Sequence, residues 1–187
     1  MSRTLTIKKG GPSPYSEGWH TAKISSAEYG EWNDAKYIDV YFDGYSEKMN
    51  LRCYAKENKE GEEFAIGKFF RFANAGITDA LDDGSGNMVI KMDDSAEQLT
   101  GKEVNIFLYK DGDYSRVLPQ IAPVVFKNIV EEFNDQDVDY WKSRAETFFA
   151  KWVKPKLIPG AVNGEASMDE LISASQEQAE LTKDMPF

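Results

Sequence analysis

The chain has 187 residues and a formal net charge of −10, long enough for one sizeable domain with appendages and short for two independent ones. No apolar run reaches the roughly 18 residues that cross a membrane; the lone Cys53 excludes an intrachain disulfide, and one His with one Cys excludes the usual zinc cages. The acidity excludes a plain nucleic-acid binder unless the charge is unevenly placed. It is: from Gly160 onward six acids face one Lys, a net of −5, and the 159 residues before it share the other −5.

The opening "MSRTLTIKKGG" has no apolar stretch, so no leader is expected, and a lone thiol fits a reducing cytoplasm. Residues 18–27, "GWHTAKISSA", alternate and read as a first strand. In "AKYIDVYFDG", Ile38, Val40 and Phe42 form one face and Tyr37, Asp39, Tyr41 and Asp43 the other. "EKMNLRCYAK" repeats the scheme: Met49, Leu51 and Cys53 inward, Lys48, Asn50, Arg52 and Tyr54 outward. The short link "DGYSE" predicts an antiparallel hairpin. Phe64, Phe69, Phe72 and Ala73 then recur at near-helical spacing, with Gly76 placed as a C-cap. "DDGSGNMVIKMDD" reads as a loop with a short apolar core, Met88, Val89 and Ile90, with a small hairpin as the alternative, and "GKEVNIFLYKDGDYSRV" as a hairpin with Asp111 and Gly112 at its turn.

Three strands, a helix and two strands are the element order of an OB-fold, a five-stranded partly open barrel whose second and third strands commonly bind single strands. The predicted fold is therefore mainly β: an OB-fold domain over residues 1–122 with a helix between strands three and four. A helical extension packed on the barrel follows over residues 123–158, then an acidic tail over residues 159–187. The extension reads as two helices. Pro123 suits the first position of one, with Phe126, Ile129, Val130 and Phe133 as its stripe. The other carries Val138, Trp141, Ala145, Phe148, Phe149 and Trp152 on one face, capped by Asp135 or Asp137 and stopped by Pro155. Packing against the barrel is the first reading of that aromatic stripe, and a homodimer interface the second. The tail is poor in large apolar residues and reads as a flexible arm, with "SMDELISASQEQAELTK" marginal as a helix.

The tip Asp184, Met185, Pro186 and Phe187 resembles the tail end of bacterial single-stranded DNA-binding proteins, which finish on an acidic run, an apolar residue and Pro-Phe. This chain has one Asp there, after Lys183, where that family places several. The body resembles phage-encoded relatives through "EGWHTAKI", "KYIDVYF", "LRCYAK", "ANAG" and the pattern LxGKxVxI…DGxYxRV over residues 99–117. The resemblance implies sequence-independent single-stranded DNA binding in replication or recombination, in the host cytoplasm, with no membrane. It also implies that the tip recruits a polymerase, helicase or nuclease while the arm competes with DNA.

Single-strand binding needs aromatic faces for stacking and cations along the phosphates. The outward faces offer Tyr37, Tyr41, Lys48, Arg52 and Tyr54, with Phe107, Tyr109, Lys110, Tyr114 and Arg116 from the second hairpin. Any one Tyr reads first as a packed strand residue; the set reads as a binding face. His20 and Cys53 read as structural, and "DDGSGN" and "KDGD" as turns rather than calcium loops. The sequence has no phosphate-binding Gly loop, triad or paired-carboxylate motif, so no enzyme and no cofactor is expected. The runner-up is an acidic interaction protein: a mimic of DNA, or a structural component built on an OB-type barrel.

Overall fold

The computed structural model describes residues 15–157. The tail, its tip and the first 14 residues lie outside them. Nine strands and two α-helices are present among the described residues: β1 (Gly18–Trp32), β2 (Ala35–Phe42), β3 (Leu51–Tyr54), α1 (Ala65–Phe72), β4 (Ile77–Asp82), β5 (Met88–Met92), β6 (Glu103–Asp111), β7 (Tyr114–Val117), β8 (Phe126–Lys127), β9 (Glu132–Phe133) and α2 (Asp135–Phe148). The fold is mainly β. Its principal sheet has the antiparallel order β3-β2-β1-β6-β7 and is not closed, since no pairing joins β7 to β3 among the described residues.

β1 is longer than its alternation predicts. Its first half pairs with β6 and its second with β2, and the register shifts between Ile24 and Ser26 where it changes partner. The extension to Trp32 is closed by Asn33 and Asp34, both left-handed with φ of 49° and 64°. Such a pair matches the right-handed twist of the strands that it joins. The predicted β2–β3 hairpin forms, as do β4–β5 and β6–β7. The β6–β7 turn falls on Gly112 and Asp113, one residue later than expected, because Asp111 pairs with Tyr114. "DDGSGN" is a turn: the Asp83 carboxylate accepts from the amides of Ser85 and Asn87.

The inner face carries the alternation read from the sequence. Ile24, Ile38, Val40, Phe42, Leu51, Val104, Ile106 and Leu108 are buried with Phe69, Phe70 and Phe72 of α1 in one core. The Glu63 carboxylate caps α1 by accepting from the amides of Ile66 and Gly67. The helix ends at Ala73 with Asn74 left-handed (φ 50°), so Gly76 is not its C-cap. Gly76 serves a close approach instead: a Cβ there would overlap the Asp93 carbonyl, whose amide donates to Gly76 O at 2.7 Å.

The helical extension is one helix, not two. Residues 126–133 form the β8–β9 hairpin. The Asn128 side chain accepts from the amides of Val130 (2.8 Å) and Glu131 (2.9 Å), a turn that competes with helix formation. Arg71 of α1 then fixes Glu131 through two bonds of 2.6 and 2.5 Å. Phe126 and Phe133, paired across the hairpin, pack on the core, while Ile129 is left exposed at the turn. α2 is capped by Asn134 rather than by Asp135 or Asp137, with Asp137 answering from the third position as a capping box. It widens into a π turn over Phe149–Val153 and tightens into a 3-10 turn over Lys154–Leu157.

Candidate nucleic-acid interface

The outer face of the sheet divides into two regions. Over β1 and β6 it is covered. The Trp19 indole donates to Glu146 of α2 at 2.7 Å. Phe107 meets Trp19 and Phe149 with ring centres 5.4 and 5.2 Å apart, and Tyr109 meets Phe149 at 5.3 Å. These rings, with Leu118, Ala145, Phe148 and Trp152, make a second apolar cluster. The packing reading of the α2 stripe is the one observed, and Phe107 and Tyr109 are spent on it. Burial pushes the Tyr109 phenol above its ordinary pKa. Asn105 is buried beneath the chain that leaves β7. It accepts from Thr21 Oγ1 at 2.8 Å and donates to the Pro123 carbonyl at 2.7 Å, which holds that segment down.

Over β1, β2 and β3 the outer face is open, and here four predicted residues come together. Tyr37 stands between Gly30 on β1 and Tyr54 on β3. Its ring lies over Gly30, where a Cβ would overlap it. The Arg52 guanidinium stacks on the ring, 3.8 Å from its centre. Asp39, only 5% exposed, holds that guanidinium through two bonds of 2.8 and 2.7 Å. A fork–fork pair of this kind fixes the plane as well as the charge. The Tyr54 ring meets Tyr37 edge-on at 5.6 Å. Tyr41 donates to Glu28 Oε1 at 2.9 Å, and that bond chiefly pushes its phenol up to about 12.

The remaining predicted residues lie elsewhere. Lys48 is in an exposed 3-10 turn (Glu47–Met49) rather than on β3. Lys110 pairs with Ser115 on the opposite side of the β6–β7 hairpin from Tyr109, and its Nζ donates to Ser115 Oγ at 2.6 Å. Tyr114 is 71% exposed at the hairpin tip, and Arg116 there is bonded to Asp111 at 2.6 Å. The tip residues Asp184, Met185, Pro186 and Phe187 lie outside the described residues.

Sequence reasoning missed Trp32. It falls two residues beyond Gly30, on the same side of β1, and is 63% exposed. The Asn33-Asp34 turn signal would have extended β1 far enough to find it. Cys53 lies inward, and burial first, Glu63 second, pushes its thiol up to about 12, so it is no nucleophile at neutral pH. Among the described residues no group of three or more His, Cys, Asp or Glu could hold a metal ion, and no helix is long and apolar enough to cross a membrane. Comparison with protein-family models, with curated proteins and with solved structures finds no match to this chain.

Proposed function

We propose that this chain binds single-stranded DNA without sequence preference, as a non-catalytic protein of DNA replication or recombination, and that its five-stranded sheet acts as an OB-type barrel. The observation that carries the reading is the partly exposed aromatic face over β1–β3, beside a face over β6 on which Phe149 packs. Trp32, the Arg52-capped Tyr37 and Tyr54 share that face and one end of the sheet. A base stacks on a guanidinium plane as well as on a ring, so Arg52 serves as a platform while Asp39 keeps it level. Stacking is sequence-tolerant because every base has a π face. With Arg52 neutralised by Asp39, and Glu28 alongside, this face attracts bases rather than phosphates. Recruitment of a polymerase, helicase or nuclease through Asp184, Met185, Pro186 and Phe187 rests on the resemblance of the tip alone.

The test is a titration of the full chain with an oligo-dT at low salt, followed by tryptophan fluorescence. Trp32→Ala and Tyr54→Ala should each weaken binding about five- to 150-fold, the effect of losing one stacked base. Absence of binding by the unaltered chain overturns the reading. The net charge of −10 and the carboxylates of Glu28 and Asp39 on the open face favour the second reading, an acidic protein that occupies a nucleic-acid-binding partner. In that case the chain displaces oligonucleotide from such a partner and binds none itself.

A further inference from the structure

α1 and α2 meet where Phe72 and Trp141 pack with ring centres 4.8 Å apart, and cations surround that contact. Lys68, one turn before Phe72, places its Nζ 4.6 Å from the Trp141 ring centre and 5.3 Å from that of Phe72. Arg144, one turn after Tyr140, lies 5.7 Å from both Tyr140 and Trp141 and donates to the Tyr140 hydroxyl at 2.9 Å. Arg71 lies against Phe133.

Among the described residues neither Lys68 nor Arg144 makes an ion pair. The charges felt by Lys68 at neutral pH are those of Arg144, Arg71 and Lys56, all cationic. The nearby acids are engaged: Glu131 by Arg71, Glu63 by the amides of Lys56, Ile66 and Gly67. Burial first, and these cations second, hold Lys68 down to about 8, so it is still mostly charged at neutral pH. A half-buried ammonium beside like charges is costly unless an anion completes it.

The cluster lies next to the open face. Tyr54 ends β3, Lys56 follows two residues later, and the Lys56 carbonyl accepts from Phe64 just before α1. Cys53 and Lys56, on either side of Tyr54, both act on Lys68, so a strand that stacks on Trp32, Arg52 and Tyr54 and leaves the sheet past Tyr54 would come to this cluster.

We propose that Lys68 and Arg144, set around Trp141, form a seat for a backbone phosphate of the strand whose bases stack on the sheet. This rests on the proposed function and supplies the cation that the aromatic face lacks. The experiment measures oligo-dT affinity of the full chain against salt concentration for the unaltered protein, Lys68→Gln, Arg144→Gln and Trp32→Ala. Each of the first two variants should weaken binding and reduce the log–log salt slope by about 0.7, the share of one phosphate on a single strand. Trp32→Ala should weaken binding at an unchanged slope. An unchanged slope in both cation variants overturns the seat and leaves the stacking face standing. Inorganic pyrophosphate binding, followed by calorimetry on the unaltered chain and on Lys68→Gln, separates the two readings. Saturable binding that Lys68→Gln abolishes supports the seat even if oligo-dT does not bind; no binding of either probe overturns both. Lys68→Gln removes an uncompensated charge, so its urea midpoint should not fall, and Arg144→Gln provides a second test from the other helix.

Discussion

Gly30 and Tyr37 show how one small residue on β1 decides what an aromatic on β2 can do. The Tyr37 ring occupies the space a Cβ would take, and Arg52 stacks on the ring so placed. Gly30→Ala should cost about 1–3 kcal/mol in urea denaturation, the usual effect of overpacking. In a Tyr37→Ala background the same change should cost almost nothing, since the atoms it strikes are gone. Additive losses in that cycle would show that the ring does not depend on Gly30. Lys68 carries the pH prediction. Its folded pKa of about 8 lies below the ordinary 10.5, so between those values the unfolded chain binds more protons and stability rises with pH. Lys68→Met should therefore exceed the unaltered chain in urea midpoint most below pH 8, with the gap closing as pH climbs toward 10.5. Cys53, raised to about 12, acts in the opposite sense above pH 9 and is coupled to Lys68, so the comparison is read below pH 9. A gap independent of pH would refute the assignment.

At the scale of elements, α2 decides which part of the sheet is available. Phe149, in the π turn that continues it, closes over Phe107 and Tyr109, and Glu146 of α2 takes the Trp19 indole. Phe149→Ala should cost about 2–3 kcal/mol by urea denaturation, below the fully buried range because Phe149 is only partly buried. Oligo-dT affinity should stay within error of the unaltered chain, because Phe149 lies on the covered face; a parallel loss of affinity would place the ligand there. The strands β2, β3 and β6 were legible because Ile38, Val40, Phe42, Leu51, Val104, Ile106 and Leu108 alternate with polar or aromatic neighbours, and that alternation is their burial. Residues 126–133 were misread because Phe126 and Phe133 are seven apart, which suits a helical stripe as well as two arms of a hairpin. Asn128 and the Arg71–Glu131 pair decided between them, and the second of these acts over 60 residues of sequence.

For the whole molecule, the sequence by itself determined a mainly β chain, the inward residues of its main strands, α1 near its place, and α2 as an aromatic-faced helix that packs on the sheet. Each follows from local period or turn chemistry, which neighbouring residues carry. Only the tertiary structure decided which aromatics remain open. Phe107, Tyr109, Tyr37 and Tyr54 look alike along the chain, yet Phe149 packs against the first two, while Arg52 caps Tyr37 and Tyr54 meets Tyr37 edge-on. Only the fold, likewise, brings Lys68 and Arg144 to one ring of Trp141, because a long-range pairing of cations leaves no periodic trace in either helix.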